Sequence, residues 1–183
     1  MTRFAKFAAP LFAIALLLGL ATLTQADNPE RISTDADNNI TLDGVSLGDH
    51  VMGPELKTDD LKGKVVLFEY WGDRCPPCHD SIPGIVDLRG DYSADKLAIV
   101  ANQVWTKDAD KTKKAWEKHG GDDTVTVVNH GKLEGANHRG VPHAYVLDHN
   151  GKLIWNGNPH PRADKKEMIK VIKKAVEALP DKA

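Results

Sequence analysis

The chain has 183 residues, 41% of them hydrophobic and 27% charged, with a formal net charge of −2. That length accommodates one domain plus a short additional segment, in a composition normal for a soluble globular protein. The near-neutral charge excludes the basic excess of a nucleic-acid binder, and neither an internal repeat nor a low-complexity tract is present.

Arg3 and Lys6 precede an uncharged apolar run from Phe7 to Leu23. A basic start, an apolar middle and small residues at the end have the layout of an export signal. Thr24-Gln25-Ala26 supplies small residues at the first and third positions of a cleavage site. Residues 1–26 are therefore read as a signal peptide, or as an uncleaved N-terminal membrane anchor, since the run lies between the usual lengths of the two. Neither cysteine lies near this site, which excludes a lipid-modified N-terminal Cys. Residues 27–44 are polar and poor in large apolar side chains, and are expected to form a flexible segment ahead of a domain spanning 45–183.

Val65 to Trp71 is a short run of β-branched, aliphatic and aromatic residues with the character of a buried central strand. Pro76 to about Arg89 follows as a helix, its two leading prolines suited to a first turn whose N–H groups lack helical partners. Leu97 to Val104 reads as a second buried strand. Asp108 to His119 reads as a polar helix stopped by Gly120-Gly121, and Thr124 to Val128 as a third strand. His130 to Gly140 is expected as a loop or broken helix. Ala144–Leu147 and Leu153–Trp155 flank Asn150-Gly151, a strong hairpin signal. Asp164 to Leu179 closes the chain as an amphipathic helix with Met168, Val171, Ile172, Ala175, Val176 and Leu179 on one face. Asp164 and Glu167 have the spacing of a capping box. Strands alternating with helices imply an α/β protein whose mixed sheet is covered on both faces.

The chain has only two cysteines, Cys75 and Cys78. A bridge across so short a loop removes little chain entropy, so a purely structural disulfide is poorly motivated. Their placement between a buried strand and a helix points to redox chemistry. Cys75 is expected at the helix N-terminus, where the dipole and free N–H groups favour a thiolate. It is the candidate nucleophile, and Cys78, one turn inside, the candidate resolving thiol. Glu69 is the single charged residue in an otherwise apolar strand. Burial would raise its pKa and make it a proton acceptor for Cys78, whereas an edge position or an ion pair with Lys64 would make it structural.

The segment from Phe68 through Cys78, Pro83 five residues further on, Arg139-Gly140-Val141-Pro142 and Tyr145–Lys152 together resemble the thioredoxin superfamily. The nearest resemblance is to its exported TlpA-like and ResA-like reductases, over about Val45 to Leu179. The resemblance implies a thioredoxin-like fold with a central mixed β-sheet flanked by helices, and a TlpA-type helix–strand insertion over about 108–128. It implies a cis Val141–Pro142 bond packed against the sulfurs, with Pro142 in the catalytic set alongside Cys75, Cys78 and Glu69. It further implies substrate contacts from Trp71, Arg74, Val141 and His143. Two positions depart from the family pattern: Arg74 stands where a Trp or another large residue is usual, and Glu69 where TlpA-like proteins often carry Asn.

The implied activity is thiol–disulfide exchange with exported proteins, in the reducing direction, in the periplasm or another extracytoplasmic space. A membrane redox donor is the implied source of electrons, and no cofactor, metal or nucleic acid is implied. The competing reading is a copper-handling protein in which Cys75, Cys78 and His143 or His79 hold the ion, a donor set suited to copper. The two-residue spacing of the cysteines argues against the Sco-like copper chaperones. A peroxidase reading lacks the Pro-x-x-x-Thr-x-x-Cys arrangement ahead of Cys75.

Overall fold

The computed structural model describes residues 39–180. The export signal assigned to 1–26, and the polar segment up to residue 38, lie outside the described residues. Among those described, no helix is long and apolar enough to cross a membrane.

Strands β3 (Val65–Trp71) and β4 (Leu97–Gln103) are buried along their whole lengths. Strands of that kind belong in the middle of a sheet covered on both sides. They pair in parallel, linked by helix α1 (Pro76–Asp91). The sheet order is β2 (Asp49–Met52), β5 (Thr126–Asn129), β4, β3, β7 (His143–Leu147), β8 (Leu153–Gly157). Helix α2 (Ala109–Lys118) links β4 to β5, which is also parallel to it. β2, β7 and β8 run antiparallel to their neighbours, so the sheet is mixed. The β7–β8 hairpin turns at Asn150-Gly151, where Gly151 adopts φ +77°, a value that an L side chain resists.

Alternation along β3 sorts the core into two halves. Val65, Leu67 and Trp71 join Ile82 and Ile85 of α1, Trp116 of α2, and Met168 and Ile172 of helix α3 (Lys165–Glu177). Val66, Phe68 and Tyr70 face the other way, onto Ile40, Leu42, Val45, Leu61 and Leu133. Both faces are covered, but unequally: the three α-helices among the described residues share one side. The other side is closed by the chain from Ile40 to Leu61, which includes 3-10 turns at Leu42–Gly44 and Thr58–Leu61. A two-stranded sheet of β1 (Val45–Ser46) and β6 (Lys132–Leu133) completes it. β6 falls within the stretch expected as a loop or broken helix.

Two details differ from the sequence reading. Packing begins ahead of Val45: Ile40 is 1% and Leu42 7% exposed. Thr41 bridges to Lys152, and the Leu42 N–H donates to the Gly151 carbonyl at 2.8 Å. The last residues of the expected flexible segment thus belong to the folded domain, held by two apolar side chains set among polar neighbours. At α3, the apolar face packs as expected, but the Asp164–Glu167 capping box does not form. The Asp164 carboxylate instead accepts the backbone N–H of Asn158 at 3.2 Å, in the turn before the helix.

Candidate active site

The C-terminal end of β3 runs into the turn Gly72-Asp73-Arg74, closed by the Cys75 N–H donating to the Gly72 carbonyl at 3.2 Å. Cys75 is then the N-cap of α1, with Pro76 and Pro77 filling the first helical positions. Prolines have no N–H, so the first helical donor free to face the cap is that of Cys78. It lies 3.3 Å from Cys75 Sγ, which accepts it. The two sulfurs are joined in a disulfide. Cys75 is 3% exposed and Cys78 0%, an asymmetry that follows from one lying at the cap and the other a turn inside.

Glu69 is fully buried on the helix-bearing side of β3. Its ladder neighbours on both flanking strands are alanines, Ala101 and Ala144, whose small side chains leave room for a carboxyl. It is neither at an edge nor paired with Lys64. Burial raises its pKa to about 8, with a hydrogen bond from Ser81 opposing the rise. Ser81 Oγ is 2.9 Å from Glu69 Oε1 and 2.7 Å from the carbonyl oxygen of Cys78. Glu69 Oε2 is buried with no hydrogen-bond partner, which an uncharged carboxyl tolerates far better than a carboxylate.

The Val141–Pro142 peptide bond is cis, and the Val141 carbonyl oxygen lies 3.7 Å from Cys75 Sγ. The structure therefore brings Cys75, Cys78, Glu69, Val141 and Pro142 together. Trp71 shares the buried cluster of the two cysteines but is 0% exposed and packs on Trp116 at 5.4 Å between ring centroids. Trp71 ends a strand that alternates, and its parity directs it into the helix-side core, so it offers no surface to a partner. His143 is displaced from the sulfurs. It shares the parity of Tyr145, not Ala144, and its ring joins His138, Tyr145 and Asn156, on the side of the sheet away from α1. Arg74 is exposed on the active-site turn, with Asp73 as a neighbour at 3.8 Å. His79 lies 3.0 Å from the Asp73 carbonyl and stacks on His119 at 3.7 Å between ring centroids. Among the described residues no group of three or more His, Cys, Asp or Glu is arranged to hold a metal ion.

Two residues at the site escaped sequence reasoning. Ser81 is three positions after Cys78, one helical turn on, and that spacing with Glu69 in the adjoining strand was the available signal. Trp105 lies two residues past the end of β4 and Gly72 one past the end of β3, at the same end of two parallel strands. Its ring lies directly over Gly72, where a Cβ would come within 2.5 Å of it. No sequence pattern links residues 72 and 105, which meet only through strand pairing.

A mixed sheet whose central strand delivers a disulfide to a helix N-terminus, opposite a cis-proline loop, defines a thioredoxin-like thiol–disulfide oxidoreductase. The chain belongs to the AhpC/TSA family, whose profile matches residues 39–156. It is 28% identical over 158 residues to the thiol-disulfide oxidoreductase ResA of Bacillus anthracis, covering 79% of this chain and 84% of that one. It is 31% identical over 103 residues to the thioredoxin-like protein YneN of Bacillus subtilis, covering 55% of this chain and 60% of YneN. A thioredoxin-family thiol:disulfide interchange protein from Chlorobium tepidum superposes with TM-score 0.60 at 21% identity, covering 78% of this chain and 99% of that one. A thiol-disulfide isomerase from Corynebacterium glutamicum gives 0.59 at 16% identity, covering 72% and 92%. The likeness to these two solved structures establishes the thioredoxin-like fold.

Proposed function

We propose that this chain is an exported reductase of protein disulfides, with Cys75 as the attacking sulfur and Cys78 as the resolving one. The observation that carries the reading is the cap geometry: Cys75 Sγ accepts the Cys78 N–H at the start of α1. The same donor and the helix dipole favour a thiolate once the pair is reduced. Attack of the Cys75 thiolate on a substrate disulfide forms a mixed disulfide and releases one substrate thiolate. Cys78 then attacks Cys75 Sγ, which forms the Cys75–Cys78 disulfide and releases the second. Two electrons pass to the substrate. Glu69, buried beside the first turn of α1, takes the Cys78 proton as that thiol becomes a nucleophile. Pro142 and the Val141 backbone border Cys75 and hold the substrate chain against it, and Arg74 meets it from the turn.

The basic residues Arg3 and Lys6 ahead of the Phe7–Leu23 run support action outside the cytoplasm, by a soluble or N-terminally anchored protein. A membrane dithiol donor returns the pair to its reduced form. The potential of the pair tests the direction: equilibration with glutathione should give a value toward the thioredoxin end, about −270 mV, and a value near the DsbA figure of about −120 mV would reverse it. Fractionation of cells carrying the full chain should recover the domain outside the cytoplasm, and full-length protein in the cytosol would refute export.

A further inference from the structure

Trp105 is the single large hydrophobic side chain exposed among the described residues, at 47%. An indole on a free loop would pack down or sample many orientations; this one has a built seat. Its underside rests on Gly72, where any Cβ would collide with the ring, so glycine is what allows the approach. The loop that carries it is fixed from below. Buried Gln103 accepts the N–H groups of Trp105 and Thr106, the latter at 3.0 Å, and donates to Thr112 Oγ1 of α2 at 3.1 Å. His130 Nε2 lies 3.1 Å from the Thr106 carbonyl on the far side. None of these contacts uses the indole, so the indole is displayed and not required for the brace.

Gly72 is also the acceptor that closes the turn onto the Cys75 N–H. The exposed ring is therefore attached to the turn that presents the reactive sulfur. Cys75 is only 3% exposed, so a protein substrate reaches it only by bringing the chain beside its own cysteine down onto the rim. We infer that Trp105 is a substrate-contacting, specificity-determining residue, an apolar platform for a large aliphatic or aromatic side chain flanking the reacting cysteine of a polypeptide substrate. A rigid aromatic surface suits this role because little side-chain freedom is lost on contact. The inference rests on the exchange activity proposed above and adds what kind of substrate the site prefers.

The test uses the reduced full chain and three oxidants: two peptide disulfides differing only in Leu or Ser beside the cysteine, and the small disulfide of 2-mercaptoethanol. Wild type should favour the Leu peptide in kcat/KM by roughly threefold to tenfold, the range of a single aromatic contact. Trp105→Ala should erase that preference while leaving the rate with the small disulfide unchanged, and Trp105→Phe should keep most of it. A preference that survives Trp105→Ala, a wild type with none, or equal slowing toward all three oxidants would each overturn the inference. A wild type inert toward all three would overturn the exchange reading, and this inference with it.

Discussion

Ser81 Oγ lies 2.9 Å from Glu69 Oε1 and ties the buried carboxyl of β3 to the helix that carries Cys78. The hydroxyl has one proton and two acceptors in reach, Glu69 and the Cys78 carbonyl. When Glu69 is protonated it can donate to Ser81, and Ser81 to the carbonyl. When Glu69 is ionised, Ser81 is drawn to donate to the carboxylate and leaves the carbonyl. The hydroxyl thus changes partner with the charge on the acid, one helical turn from Cys78.

Glu69→Gln should slow closure of the Cys75–Cys78 disulfide by about a hundredfold while leaving the first attack by Cys75 nearly unchanged, the scale of a lost general base. Stopped-flow rates against pH provide the check. The wild-type profile should bend near 8, where Glu69 titrates, and the variant should lack that bend.

Stability should follow the same group with the opposite emphasis. The folded pKa of Glu69 is raised from 4.5 to about 8. Between those values the folded state holds a proton that the unfolded chain has released, so this contribution is full below about 4.5 and declines as pH rises toward 8. Urea midpoints of the oxidised protein should fall between pH 5 and pH 8 by more than those of Glu69→Gln. Parallel pH dependence in the two proteins would show that Glu69 does not titrate in this range.

Ser81→Ala should remove the hydrogen bond that holds the Glu69 pKa down, so the bend in the pH–rate profile should move upward. The variant should also lose about 1 kcal/mol of stability. Ser81→Thr keeps the hydroxyl and should restore the wild-type bend. An unmoved bend in Ser81→Ala would reduce Ser81 to a helix contact.

The two sulfurs should separate in trapping experiments. Cys78→Ser leaves the attacking thiolate but no resolving partner, so mixed disulfides should accumulate and be visible by mass spectrometry. Cys75→Ser should trap little, because Cys78 is 0% exposed. Equal trapping by both variants would contradict the assigned roles.

Ile40→Ala should destabilise the domain by about 2–4 kcal/mol, as expected for a fully packed aliphatic side chain. Trp71→Ala should cost about 3–5 kcal/mol, because the ring is core. Denaturant unfolding measures both, and a change under 1 kcal/mol for Ile40→Ala would return residues 39–44 to the unpacked segment.

The framework was legible because its signals are local. Val65–Trp71 reads as a central strand from its unbroken apolar run, and the cysteines find their place from the strand before them and the prolines after. Glu69 stood out because a lone charge in such a run must be explained. The errors came from facing and from distance. The position of His143 after Pro142 suggests a place near the sulfurs, yet strand parity turns its ring to the other side. The resemblance implies a substrate contact from Trp71, but the opposite parity buries that ring in the helix-side core. Ile40 and Leu42 were lost among polar neighbours because the core they enter is assembled from residues far along the chain, Gly151 and Leu153 among them. Trp105 and Gly72 meet only through the register of β3 with β4, a relation that no stretch of either segment contains.

The bridge between Thr41 and Lys152 sits beside the β7–β8 turn, and Leu147 there pairs with Val66 at the beginning of β3. The disulfide lies past the other end of β3, on the order of 20 Å away at the rise of a strand. The domain thus has two poles, one where the described residues begin and one that carries the disulfide. A linker, an affinity tag or a solid support joined ahead of Asn39 attaches to the first pole. A domain held just ahead of Asn39 therefore presents its disulfide end away from the point of attachment.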